Sequence, residues 1–216
     1  MPSLFENIYI NSKGFYISLK SERLEEQTGA RIIYIFGLFD DQFNPTAEIH
    51  RKTEVIKPPS GKDANSMAQM LANSLSSMTF KPVRNFILTE NDLIYFGYPE
   101  EYSIFVYSSE EKLLRIIKRE YDPIEITERD KEEYVKTQEL EFFRFLPPTA
   151  DTLKGKAIKM IKYPKAKPAY KRFMLMENGW LVVIVDSLEN KNPHIDIFDG
   201  DGKFIAHFKS DIPVEG

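Results

Sequence analysis

The segment "HIDIFDGDGKFIAHF" (residues 194–208) sets three acidic residues and two glycines into an otherwise apolar run. Asp199-Gly200-Asp201-Gly202 is either a cation loop or the corner of a β-hairpin. A calcium loop of the EF-hand type needs oxygen ligands at alternate positions, Gly at the sixth position and a bidentate Glu at the twelfth. Counted from Asp199, no Asp or Asn stands at the fifth position, and the twelfth residue is Ser210. A turn needs less: glycine for positive φ and an aspartate to bond its own backbone. The segment therefore reads as a hairpin, with Ile195 and Ile197 facing the packing layer.

A second copy lies upstream. "FILTENDLIYFGYPEEYSIFVYSSEEKLLRII" (residues 86–117) aligns with residues 173–208, placing Phe86, Leu88, Glu90 and Asn91 on Phe173, Leu175, Glu177 and Asn178. Further along, Ile104, Val106, Tyr107, Lys112 and Leu113 fall on Ile195, Ile197, Phe198, Lys203 and Phe204. Four extra residues fit a loop at 188–192. The corner of this copy is Ser108-Ser109-Glu110-Glu111, so the aspartates are not repeated, and a glycine expected at Glu111 is missing. Leu93 takes the place of Trp180, which makes Trp180 a packing residue.

Residues 1–52 hold a looser copy. Ile8, Ile10 and Lys13-Gly14-Phe15 supply a first turn, a long polar insertion follows, and "RIIYIFGLFDDQFNPTAEIH" supplies the third and fourth strands. Repetition of a whole unit signals a repeat architecture. Within each unit the apolar period is two, the mark of strands. In the middle copy the strands are expected at 83–89, 93–97, 102–108 and 112–118. Asn178-Gly179 is a two-residue hairpin signal.

Two segments break the strand pattern. Residues 63–77 carry Met67, Met70, Leu71 and Leu75 at helical spacing, with Asp63 as N-cap. Residues 127–145 form the second helix, with Thr127 and Asp130 arranged as a capping box and Pro147-Pro148 as a stop. The expected fold is mainly β: repeated four-stranded antiparallel meanders, a partial β-propeller of three blades with two inserted helices. One domain spans 1–216, with blade-like units at 5–52, 83–120 and 168–211 and helical insertions at 63–77 and 127–145.

The bulk composition excludes several classes. The 216 residues contain no cysteine, so disulfide frameworks, Cys-ligated zinc and thiol catalysis are out. A formal net charge of −4 argues against a nucleic-acid partner. No apolar run reaches the length of a transmembrane helix, and the N-terminus lacks the basic and apolar regions of a signal peptide. His50, His194 and His207 match no metal spacing and read as isolated histidines. Neither a phosphate loop at Ser60-Gly61-Lys62 nor a G-x-S-x-G nucleophile is formed. The strip "KGKAIKMIKYPKAKPAYKR" (residues 154–172) holds eight basic residues and no acidic one. Of these, Lys159, Lys162, Lys165, Lys167 and Arg172 are the candidate binding residues. The competing reading is a solvated connector with edge-protecting lysines.

The chain resembles the NHL-like six-bladed β-propellers of many bacterial envelope and secreted proteins. Residues 94–134 look like that family's Tyr-x-Ile-x-Val-Tyr, Gly-Lys-Leu blade edge followed by an interblade helix. Residues 167–184 look like its Pro-Ala-Phe, Glu-x-Gly-x-Trp-Val blade start, and residues 195–208 like its Asp-Val-Phe-Asp, Asp-Gly-Lys blade end. Only three blades are present, as in a C-terminal half or a shortened gene, which leaves open edges to be paired or covered. The resemblance implies no catalytic residue and no cofactor, and a location that in such relatives is often periplasmic or secreted. The expected function is a non-enzymatic propeller module that binds a protein or extended ligand on a blade face, or self-associates through its open edges. The alternative is a metal-dependent hydrolase or lyase with a channel site at Asn85, Glu90 and Asn91.

Overall fold

The computed structural model describes residues 4–26, 29–56, 61, 63–110, 112–141, 143–145, 150–185 and 193–210. The expectations placed on Ser60, Lys62, Glu111, Pro147-Pro148 and 188–192 lie outside these residues. The described chain is mainly β, with three four-stranded antiparallel sheets, each a meander in sequence order. The first contains β1 (Leu4–Ile10), β2 (Tyr16–Glu26), β3 (Gly29–Phe39) and β4 (Pro45–Ile56). The second contains β5 (Asn85–Leu88), β6 (Ile94–Gly97), β7 (Ser103–Tyr107) and β8 (Leu113–Lys118). The third contains β9 (Arg172–Leu175), β10 (Leu181–Val185), β11 (His194–Phe198) and β12 (Phe204–Lys209).

One turn recurs six times among the described residues. At 11–15, 40–44, 89–93, 108–112, 176–180 and 199–203 the first residue's N–H donates to the fifth residue's carbonyl. In the five whose fourth residue is described, that residue's N–H also donates back to the first residue's carbonyl. The fourth position is left-handed at Gly14, Phe43, Asp92, Gly179 and Gly202, with φ between 55° and 82°. This is the three-residue hairpin loop, a turn followed by an αL residue. The Asn178-Gly179 hairpin is therefore one residue longer than expected. The first position also supplies a side-chain acceptor to nearby N–H groups: Asn11, Asp40, Thr89, Ser108 and Asp199. Ser108 Oγ thus performs the role of Asp199 Oδ1, although the acidic residue itself is not repeated.

The stretch expected as a polar insertion is strand. β2 pairs with β3 residue by residue from Tyr16↔Phe39 to Glu26↔Gly29. Ion pairs Arg23–Glu25 and Arg31–Glu26, at 2.7 and 2.8 Å, run along its polar end. Cross-strand and same-face charge pairs of this kind let a polar segment hold a sheet register that apolar periodicity would not reveal.

The fold divides into two compact units: Met1–Pro58 with Phe86–Phe96 and Phe105–Arg115, and Pro59–Asn85 with Gly97–Ile104 and Ile116–Gly216. In the first, Ile35, Phe36, Leu38, Phe39 and Phe96 are buried. The Phe36 ring packs on Phe86 and Phe96 with centroids 4.7 and 4.6 Å away. Each buried phenylalanine of this kind contributes roughly 1.5–3 kcal/mol.

The second unit contains three α-helices among its described residues, one more than expected: α1 (Ala64–Met78), α2 (Glu128–Glu141) and α3 (Asp151–Lys159). Asp63 caps α1, accepting from the N–H groups of Asn65 and Ser66. Thr127 and Asp130 form the capping box of α2 by reciprocal bonds of 2.9 and 3.2 Å. Helix α3 was hidden because it has no side-chain cap and carries Gly155 at its centre. It is held instead by tertiary packing, with Ala157 buried against Ala68 and Ala72 of α1. Leu75, Phe143 and Ile161 form a second cluster that receives Tyr134 and Val135 of α2.

Candidate functional site

Strand β11 reverses the expected alternation. Ile195 and Ile197 are half-buried, while Asp196 and Phe198 are fully buried. A buried carboxylate is costly unless it is paired and hydrogen-bonded. Asp196 meets that condition three times. Its Oδ2 accepts from the Tyr102 hydroxyl at 2.6 Å. Its Oδ1 accepts from His207 Nδ1 at 2.6 Å and is ion-paired with Arg119 Nη1. These donors come from the residue before β7, from β12 and from the residue after β8, all within the second unit.

A β-bulge makes this possible. Phe198 pairs with Phe204, but Ile197 pairs with Ala206, so Ile205 is the extra residue. Beyond the bulge Asp196 stands opposite His207. Without it, regular pairing would place Ala206 there and turn His207 to the other face. His194 lies two residues from Asp196 on the same face, diagonal to His207. Its Nδ1 is 3.0 Å from His207 Nε2, with ring centroids 5.0 Å apart. The expectation that the histidines stand apart is thus overturned for two of the three. His50 lies in the first unit, tilted over Phe96 at 5.1 Å.

With both rings neutral, the contacts order the protons. A carboxylate only accepts, so His207 Nδ1 must donate to Asp196. In the neutral pair His207 Nε2 is then bare and accepts from His194 Nδ1–H. That leaves His194 Nε2 as the open acceptor. Desolvation, then the proximity of His207 and Lys209, holds the His194 pKa below its ordinary value of 6.5. Burial, then the bond to Asp196, pushes the Tyr102 hydroxyl far above its ordinary value, so it stays a donor. The Arg119 guanidinium also lies over the Phe204 ring, 4.7 Å from its centroid.

The cluster forms one wall of a cavity of about 270 Å³. Its other walls are Glu120, Tyr121, Asp122, Ile124 and Val185. This is at the small end of ligand sites, which run from about 300 Å³ upward, and fits a molecule of a few heavy atoms.

The residues of the basic strip differ in exposure. Lys159, Lys162 and Lys165 are exposed. Lys167 is instead 2.7 Å from Asp130, with only 8% of its side chain exposed, and it ties the connector to the start of α2. Arg172 is half-buried at the head of β9, paired across to Ile184. Trp180, expected to pack, is 37% exposed and closes its turn through backbone bonds. Asp199 Oδ1 accepts from the N–H groups of Asp201 and Lys203, the turn geometry expected of it.

The Asn85 amide donates to Val83 O and Lys171 O, and Glu90 and Asn91 are exposed beside a hairpin turn. Among the described residues no three His, Asp or Glu side chains are placed to hold a metal. Nor is any described helix long and apolar enough to cross a membrane.

No protein-family model and no curated protein matches the chain. Among solved structures, hydrazine synthase of Kuenenia stuttgartiensis is similar over 94% of this chain and 48% of that one, at 12% identity and a TM-score of 0.28. The chain spans about half the length of that protein, and a likeness this faint carries no argument.

Proposed function

We propose that this chain is a non-enzymatic binding module of NHL-like propeller type that seats a small polar ligand in the cavity beside Asp196. The observation that supports the reading is the buried carboxylate itself. A structural ion pair needs two partners, whereas Asp196 is surrounded by three donors and ends a two-histidine chain at a cavity wall. Such preorganisation holds polar groups in fixed orientation for a ligand. The test is an amide-resolved NMR screen against small amines, carboxylates, alcohols and sugars. Shifts are expected at Tyr102, Arg119–Ile124, His194, Asp196 and His207. A screen in which no solute moves these amides contradicts the reading.

A second reading places a protein or other extended ligand on the exposed Lys159, Lys162 and Lys165. Reversal of these three to Glu is expected to abolish capture of an acidic partner while leaving the fold intact. Lys167 is left out of the variant because its loss would free Asp130. Unchanged pull-down profiles count against this surface.

A further inference from the structure

We infer that the cavity beside Asp196 selects a protonated amine, held by the open Nε2 of His194, and that it releases that amine as His194 takes up a proton. The inference rests on the cavity being a ligand seat.

The argument is an account of donors and acceptors. The Tyr102 hydroxyl, Arg119 Nη1 and His207 Nδ1 are all directed at Asp196. His194 Nδ1 is directed at His207. The donors of the cluster are therefore turned inward, and the remaining polar groups of the described wall include His194 Nε2 and the carboxylates of Glu120 and Asp122, both exposed residues. The Arg119 charge is already answered by Asp196, and its plane is occupied by Phe204. Among the described residues of the cavity wall, Glu120 and Asp122 have no such counter-ion. Tyr121 adds an aromatic face, its ring 5.8 Å from that of Tyr102. A carboxylate or phosphate would meet like charge and a bare nitrogen lone pair. An ammonium group meets an acceptor, two carboxylates and an aromatic ring, the surroundings that favour a cation.

Proton linkage follows from the same geometry. His194 is faced by Asp196 on its own strand, by His207 and Lys209 on β12, and by Arg119 after β8. Among the described residues, Tyr102, Glu120, Tyr121 and Asp122 also line the cavity with it. Desolvation and the neighbouring His207 and Lys209 keep His194 neutral down to lower pH than usual. Once His194 takes up a proton, its ring carries positive charge and Nε2 becomes a donor, so it repels an ammonium group on both counts.

Calorimetric titration of the full chain with n-butylammonium, butyrate and 1-butanol, of matched size, tests this. The expected result is that butylammonium binds at pH 7.5, at least about tenfold more tightly than butanol, the difference a charge-assisted bond makes. Binding should weaken progressively between pH 7 and 5. His194→Ala should lower the affinity at pH 7.5 about tenfold and remove the pH dependence, with circular dichroism confirming the fold. If butyrate binds better at the same amides, the cavity stands as a ligand seat and the amine preference is overturned. If no probe binds, both the amine preference and the seat fail. If butylammonium binds equally at pH 7.5 and 5, proton-linked release is overturned.

Discussion

The last two strands of the second and third sheets are offset by 91 residues, and they differ in what they carry. Phe105 occupies the position of Asp196, Ser103 that of His194, and Ile116 that of His207. In the second sheet the alternation is conventional: Ile104 and Val106 are fully buried and Phe105 is half-buried. The third sheet inverts it, burying Asp196 and Phe198 and leaving the aligned isoleucines half-exposed. Turns and strand order are the common scaffold, while the inversion is local and depends on three donors and a bulge. One meander is thus built for packing, and the other keeps a polar cluster in the same place.

That contrast can be broken most severely at the carboxylate. Asp196→Ala leaves Tyr102, Arg119 and His207 without their shared acceptor and is expected to cost about 3 kcal/mol in a denaturant unfolding series. A loss under about 1 kcal/mol would mean that the cluster is ornamental. Next comes Gly97→Ala, at the end of β6. A Cβ there would lie 2.1 Å from the Tyr170 hydroxyl and 2.8 Å from Phe173. Tyr170 is fully buried and donates to Ser103 O. The expected cost is about 2 kcal/mol by thermal or chemical unfolding, from overpacking.

The turns sharpen the comparison at smaller scale. Asp199→Ala removes the shared acceptor of two N–H groups and should cost about 1 kcal/mol. At the equivalent first position of the preceding hairpin stands Met176, which has no side-chain acceptor. Met176→Asp should therefore stabilise by a few tenths of a kcal/mol, read as a small upward shift in melting temperature.

The smallest effect is a pH slope. The folded His194 is harder to protonate than the unfolded one, so the unfolded chain binds more protons between 6.5 and the folded value. Stability should be fully present above pH 6.5, fall as the pH drops through that window, and level off below it. His194→Gln should flatten the slope in urea titrations between pH 7.5 and 5.

Much of the scaffold was legible in the sequence. Asp199 to Gly202, Asp63 and the Thr127–Asp130 box each act through a side chain that bonds its own backbone, and such local devices leave a local signature. The site did not, for a specific reason. His194-x-Asp196 and His207 meet only because Ile205 is bulged, and a one-residue insertion in a ladder has no composition. From the spacing alone His207 belongs on the opposite face. Helix α3 and the polar strand β2 were missed for a related reason, since each is held by partners distant in sequence and has weak local preference. In Lys167 the sequence offered a surface charge, and Asp130 on α2 turned it into a structural one.

The central claim is the proton order along Asp196, His207 and His194. Nitrogen-15 chemical shifts of the two imidazoles at pH 7.5 read it directly. The account predicts that His194 is neutral, with its proton on Nδ1 and with Nε2 bare. A proton on His194 Nε2 at that pH would contradict it.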